Sequence, residues 1–352
     1  MNTRNYKQKA YVGTYTKGES KGIYSFTLDS TSGKIEQIKL AYKLENPTYL
    51  AIDKYNTHLY SVIKVGNSGG VAAFSIDETT DNLKLLNYEI TEGTSSCHVI
   101  LDKKNNYLFS SDYHSGTIEV YPINKDGSLN PACSKFIHEG AGPNSERQTM
   151  PHVHSSILTP DEKYLFVMDL GTDKLVVYNF DDGILSKSSE LALNPGSGPR
   201  HMAFHPNSRF SYILTELSSE VLVLEYSEAE CILKELQYIS LLPAGYKGEN
   251  LGSAIHMSNS GDYLYASNRG HNSIAVFSVD NSSGLLKLVS HTSTFGDHPR
   301  DFNIDPTGRF LIVANLFTNN LVTFSIDTTT GNLTPTNFEV SLPSPVCIKF
   351  LL

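Results

Sequence analysis

The sequence predicts an all-β fold: a seven-bladed β-propeller of four-stranded antiparallel blades, closed by the C-terminal strand pairing into the N-terminal blade. Three observations predict it. A strand–turn–strand–strand unit recurs roughly every 50 residues, the period of propeller arrays. The two ends of the chain carry complementary fragments of one further unit. Aromatic and β-branched residues fill the apolar runs, and Gly, Asn, Asp, Ser and Thr recur between them. That balance favours strands and turns over helices.

The units run as follows. Strands A and B, with a polar connection between them, are YLAIDKYNTHLYSV from Tyr49, HVILDKKNNYLFSS from His98 and SSILTPDEKYLFVM from Ser155. HMAFHPNSRFSYIL from His201, AIHMSNSGDYLYAS from Ala254 and DFNIDPTGRFLIVA from Asp301 continue the series. Two β runs joined in this way are a hairpin. Strand C follows each time, as GVAAFSID, TIEVYPIN, KLVVYNFD, EVLVLEYS, SIAVFSVD and NLVTFSID. A weaker strand D comes last, for example LLKLVSHTS from Leu285. At the N-terminus AYVGTYT from Ala10, GIYSFTLD from Gly22 and KIEQIKLAYKL from Lys34 read as B, C and D of a seventh unit. Its strand A is SPVCIKFLL from Ser344, at the other end of the chain. Pairing these fragments closes the ring, so no sheet edge is left at the join. Residues 1–352 are expected to form one propeller domain with no linker.

The net charge of -9 gives no general affinity for nucleic acid or anionic membrane, so any basic site must be local. The opening MNTRNYKQKAYVG lacks the apolar core of a signal peptide, and no apolar run approaches a membrane span. Cys97, Cys133, Cys231 and Cys347 show no metal-type spacing. Reduced thiols in a cytoplasmic protein are the simplest reading. No cofactor and no metal is implied. A monomer or weak homo-oligomer is expected.

In a propeller blade the start of A and the end of B lie at one edge. The equivalent A positions are Thr48, Cys97, His154, Arg200, Ser253, Arg300 and Val346. The equivalent B positions are Tyr15, Val65, Tyr113, Leu170, Glu216, Arg269 and Leu316. The ionisable ones, His154, Arg200, Glu216, Arg269 and Arg300, come from the fourth to the seventh blades. Each has a plain structural reading: an inter-blade ion pair for an arginine, a hydrogen-bonded core group for His154. Together they place three guanidiniums against one acid at one mouth, which points to an anionic ligand. Two D-to-A connections, residues 138–154 and 241–253, are long and would overhang the same face. They bring Arg147, His152, Tyr246 and Lys247. By strand alternation His98, His201 and Asp301 turn away from the site and serve as inter-blade hydrogen-bond partners. His205 and Asp305 belong to turns on the opposite face. No GxSxG, HExxH, Walker sequence or GxGxxG is present.

At GPRHMAFHPNSRF, TELSSEV and ASNRG the chain resembles the seven-bladed propeller lactonases. That family includes the propeller-type bacterial 6-phosphogluconolactonases, and the fungal carboxymuconate-lactonizing enzymes are similar to it. The resemblance covers essentially the whole chain. It implies catalytic roles for His154, Arg200, Glu216 and Arg269, the residues that the repeat comparison also isolates. One departure is TEL at the strand end, where an Asn-Glu-Leu version is usual; the Glu is kept.

The implied reaction is hydrolysis of 6-phospho-D-glucono-1,5-lactone to 6-phosphogluconate in the pentose phosphate pathway. Glu216 or His154 would activate water and the arginines would stabilise the oxyanion. Arg300, Arg147 or Lys247 would hold the phosphate, and His152 and Tyr246 are further substrate-binding candidates. The alternatives are a carboxymuconate-type cycloisomerase at the same site and a non-catalytic propeller that serves as an interaction platform.

Overall fold

The computed structural model describes residues 7–91, 95–228 and 231–352. The first six residues, part of the stretch read above for a leader, lie outside the described residues. Seven four-stranded antiparallel sheets make up the fold. Among the described residues there is no helix, hence none long and apolar enough to cross a membrane.

The closure has the expected form. Pro345–Phe350 is the inner strand of blade 1, followed outward by Lys7–Thr14, Gly22–Asp29 and Ile35–Lys43. Ala10, Tyr11 and Val12 pair with Phe350, Lys349 and Ile348. Blades 2 to 7 each use four consecutive strands, beginning at Leu50–Ile52, His98–Leu101, Val153–Leu158, Pro199–Phe204, Leu251–Met257 and Pro299–Ile304.

The core lies between blades. Alternation gives each inner strand two apolar faces, and each face packs on the next sheet. Phe210, Tyr212 and Leu214 of blade 5 pack with Ile255, Leu264 and Phe277 of blade 6. Phe310, Ile312 and Ala314 of blade 7 pack with Ala10, Val12 and Ile348 of blade 1, so apolar burial seals the join as well as the strand ladder. A second device recurs. A tyrosine hydroxyl on strand B donates to a backbone carbonyl in the C–D hairpin of the next blade. Tyr60 reaches Gly127, Tyr212 reaches Gly284 and Tyr265 reaches Gly331, at 3.0, 3.1 and 3.0 Å. At Gly284, φ is +75° and an added Cβ would lie 2.4 Å from the Phe210 ring. Both the left-handed backbone and the close ring require glycine there.

The turn assignments for His205 and Asp305 hold. His205 Nε2 meets Asn281 Oδ1 at 2.9 Å. Asp305 Oδ1 accepts from the Arg309 and Phe310 amides at 2.9 and 2.7 Å.

One expectation about orientation fails for a definite reason. Simple alternation would send Arg200 and His201 to opposite sides. Instead Pro199 pairs with Thr215 and His201 with Leu214, so Arg200 is the extra residue of a β-bulge. The same shift isolates His154 between Val153 and Ser155, and Arg300 between Pro299 and Asp301. A bulge re-aims the side chain it carries. Arg200 and His201 therefore both face the channel, with Arg200 Nη1 3.2 Å from His201 Nε2. The His201 ring lies 5.3 Å from that of His154 and 5.5 Å from that of His98. His98 has a buried Nδ1 without a hydrogen-bond partner, so it acts by ring packing. Asp301 does bridge blades, accepting from the Ile348 amide at 2.9 Å.

Candidate active site

The centre of the site is Glu216. It follows strand Phe210–Thr215, where its backbone amide donates to Gly198 O at 2.7 Å. Its side chain is 3% exposed, and three guanidiniums surround it. Arg200 Nε lies 3.0 Å and Arg269 Nη2 2.7 Å from Oε2. Arg147 Nη2 lies 2.6 Å from Oε1. Burial by itself would raise this carboxyl. Arg269 and Arg200, with Arg147, outweigh burial and hold it well below the usual carboxylate range. Glu216 is therefore ionised at neutral pH, and both of its oxygens are occupied.

The arginines are fixed in turn. Arg200 is buried at the bulge, and its Nη1 also donates to Ser253 O. Burial and then repulsion from Arg269 lower it to about 9, which leaves it charged at neutral pH. Arg269 ends strand Tyr263–Arg269, and its Nη2 also donates to Gly252 O at 2.9 Å. Arg300 differs from them. Among the described residues its guanidinium has no carboxylate partner and lies 5.4 Å from the centre of the Tyr15 ring.

His154 is 6% exposed. Burial, and after it the Arg200 charge, push its imidazole well below the ordinary value of 6.5. It is neutral at physiological pH, and its Nδ1 is sealed without a partner. Tyr113 packs edge-on to it with ring centres 5.7 Å apart.

Arg147 reaches Glu216 from the long loop before blade 4. A buried pin holds that loop. Gln148 Nε2 donates to Asp173 Oδ1 at 2.7 Å and to Leu170 O at 2.8 Å. The same carboxylate accepts from the Gly196 and Gly198 amides at 2.6 and 2.7 Å. Gln148 is 0% exposed and Asp173 5%. One carboxylate thus ties the loop carrying Arg147 to the strand start carrying Arg200. His152 supports it from the side: its ring stacks on Tyr113 at 4.1 Å and its Nδ1 meets Tyr113 O at 2.7 Å.

Arg147, His154, Glu216, Arg269 and Arg300 line one cavity of about 260 Å³, with Tyr15, Cys97, Tyr113, His114 and Leu251 completing the wall. Arg200 stands behind Glu216. The lining does not include His152, Tyr246 or Lys247. Lys247 is exposed, and Tyr246 donates to Glu249 O and packs on His271 instead. Burial, and after it Asp112, push the Cys97 thiol up to about 12, so it stays protonated at neutral pH. Among the described residues no cluster of three or more His, Cys, Asp or Glu side chains is placed to hold a metal ion.

Sequence reasoning missed Tyr113 and the Gln148–Asp173 pin. Tyr113 stood at a blade-mouth position but is neutral, so charge did not mark it. The pin has no sequence signal, because its two residues belong to different connections.

The mouth of the propeller thus holds one buried carboxylate paired with three guanidiniums, and a fourth guanidinium, Arg300, lines the same cavity. Comparison with known proteins places the propeller further. The chain belongs to the family described as Lactonase, 7-bladed beta-propeller, whose model matches residues 9–350. It is 47% identical over 345 residues to a 6-phosphogluconolactonase of Bacillus subtilis, covering 98% of this chain and 99% of that one. A crystal structure of a Lactobacillus plantarum protein is 40% identical, with TM-score 0.94 over 98% of this chain and 100% of that one. The periplasmic gluconolactonase of Pseudomonas aeruginosa is 32% identical, with TM-score 0.93 over 98% and 99%.

Proposed function

We propose that the protein is a 6-phosphogluconolactonase: it hydrolyses 6-phospho-D-glucono-1,5-lactone to 6-phosphogluconate without a covalent intermediate. The observation that carries the mechanism is the occupancy of Glu216. A carboxylate held by three guanidiniums is a poor base. His154 lines the same cavity and is neutral, so it is the group there that takes up the proton as the reaction proceeds.

In this reading His154 removes a proton from water as the water oxygen bonds to the lactone carbonyl carbon. Arg269, with Arg200 behind it, stabilises the oxyanion that forms. The tetrahedral intermediate collapses, the bond from that carbon to the ring oxygen breaks, and the imidazolium returns its proton to the ring oxygen. Glu216 holds the arginines in place. Arg300, the guanidinium without a carboxylate partner, binds the phosphate, and Arg147 adds charge at the rim. Lys247 and Tyr246 belong to a neighbouring loop and are left outside this scheme.

The 47% identical relative named as a 6-phosphogluconolactonase supports the substrate. The pentose phosphate pathway is the setting that substrate implies. The four unpaired cysteines fit a reducing, cytoplasmic compartment. A monomer or weak homo-oligomer is the proposed state.

The test is hydrolysis above the spontaneous rate, with 6-phosphogluconolactone and glucono-1,5-lactone side by side. Acceleration of the phosphorylated lactone, with a clear preference over the other, is expected. No acceleration of either defeats the proposal and directs the search to muconate-type acids and then to binding partners.

A further inference from the structure

A second cavity, of about 400 Å³, adjoins the first over blades 1 to 3. The two share Tyr15, Cys97 and His114 as walls, so they are lobes of one groove across the propeller mouth. Their chemistry differs. The first lobe has three arginines and one carboxylate. The second is lined by hydroxyls and amides, among them Asn46, Thr48, Asn67, Ser68 and Ser96. Among the described residues Lys64 supplies its one ammonium, which lies 3.6 Å from Glu45.

Several of these polar groups are uncommitted. Among the described residues the side chains of Thr48, Asn67 and Ser68 make no hydrogen bond, and Asn46 uses only its oxygen, which accepts from the Thr16 amide at 3.0 Å and from the Thr16 hydroxyl at 3.2 Å. Uncharged donors and acceptors of this kind match the hydroxyl groups of a sugar, each of which both donates and accepts. A phosphate would instead favour the guanidiniums of the first lobe.

The placement sets the direction of the ligand. Glu216 on blade 5 and Arg269 on blade 6 stand across the ring from blade 2, over which the second lobe opens. In a 1,5-lactone ring, carbon 4 is opposite the carbonyl carbon. A carbonyl at Arg269 therefore turns the 4-oxygen toward the Tyr15–Cys97–His114 seam.

We propose that the second lobe is a sugar subsite, and that the enzyme also hydrolyses aldonolactones carrying a glycosyl group on the 4-oxygen. The proposal rests on the lactonase reading for its chemistry, which is the same carbonyl addition and ring opening. The additional unit only binds.

The experiment compares maltobiono-1,5-lactone with glucono-1,5-lactone, two unphosphorylated substrates that differ by one glucosyl group. A ratio of kcat/KM of about 10 in favour of the larger lactone is expected, the size of one or two neutral hydrogen bonds, and it should appear in KM. Asn67→Trp, which fills the lobe from an exposed turn, should bring that ratio to about one. A wild-type ratio of one or less overturns the subsite, as does a ratio that Asn67→Trp leaves unchanged. If neither of these two lactones is hydrolysed, the activity on glycosylated lactones is overturned; if 6-phosphogluconolactone is not hydrolysed either, the lactonase reading fails as well. Calorimetric titration with maltobionate and gluconate then decides the subsite, and equal affinity for the two overturns it.

Discussion

Arg147 Nη2 sits 2.6 Å from Glu216 Oε1, joining a long loop to the end of a strand in the next blade. The Arg147 side chain is 34% exposed, whereas those of Arg200 and Arg269, the other two partners, are 3% and 5% exposed. Glu216 thus has two fixed partners in the protein interior and one at the open side of the pocket. In the proposed reaction an entering anion would meet Arg147 and Arg300 first, and the buried pair only at the reacting carbonyl.

Arg300 should govern preference for the phosphorylated substrate. Replacing it with Met removes the guanidinium without a carboxylate partner and leaves the Glu216 cluster intact. KM for 6-phosphogluconolactone should rise about 10-fold or more, the scale of a lost charge-assisted contact, while KM for glucono-1,5-lactone changes little. Steady-state kinetics with both substrates checks this. An equal loss on both would place Arg300 at the carbonyl instead.

His154→Gln should lower kcat by about 10²- to 10⁴-fold, the usual contribution of a positioned base. Because burial and Arg200 depress the imidazole well below 6.5, the acid limb of kcat/KM should lie well below that pH. A limb near 6.5 would contradict the assignment. The same shift has a consequence for stability. The unfolded chain protonates this histidine near 6.5 and the folded chain resists, so the term destabilises the fold as pH falls below 6.5. In His154→Gln this part of the acid sensitivity should disappear, as measured by Tm against pH.

Glu216→Gln should cost both activity and stability. Removing one partner of a buried ion-paired cluster leaves its charges uncompensated, at about 3–5 kcal/mol. The Glu216 contribution has the opposite origin to that of His154. The folded carboxyl lies well below 4.5, so its stabilisation is complete above 4.5 and is lost progressively as pH falls from there through the folded value. Chemical denaturation of wild type and variant at neutral pH measures the difference. A change under 1 kcal/mol would refute the description of Glu216 as the cluster's organiser.

Gln148→Leu removes the pin to Asp173 with little change in volume. If the pin acts by placing Arg147, its effect on kcat/KM and that of Arg147→Met should not add. The double variant should be about as active as the weaker single variant. Additive losses would mean that Gln148 serves the fold alone.

The sequence by itself determined the blade count, the strand order and the closure of the ring. These follow from the two-residue pleat and the local chemistry of turns, both written in short segments. It also isolated His154, Arg200, Glu216, Arg269 and Arg300, because a charge at a position that is neutral in other blades stands out once the repeat is aligned. The tertiary structure decided three further things. Bulges at His154, Arg200 and Arg300 break the alternation on which the side-chain directions were read, and His201 joins Arg200 in the channel. The pairing of Glu216 with three arginines depends on how far long side chains reach across the mouth. The second lobe is built, apart from Lys64 and His114, from uncharged residues that charge never marked. In each case the deciding quantity is a distance between residues far apart in the chain, and periodicity within a blade carries no information about it.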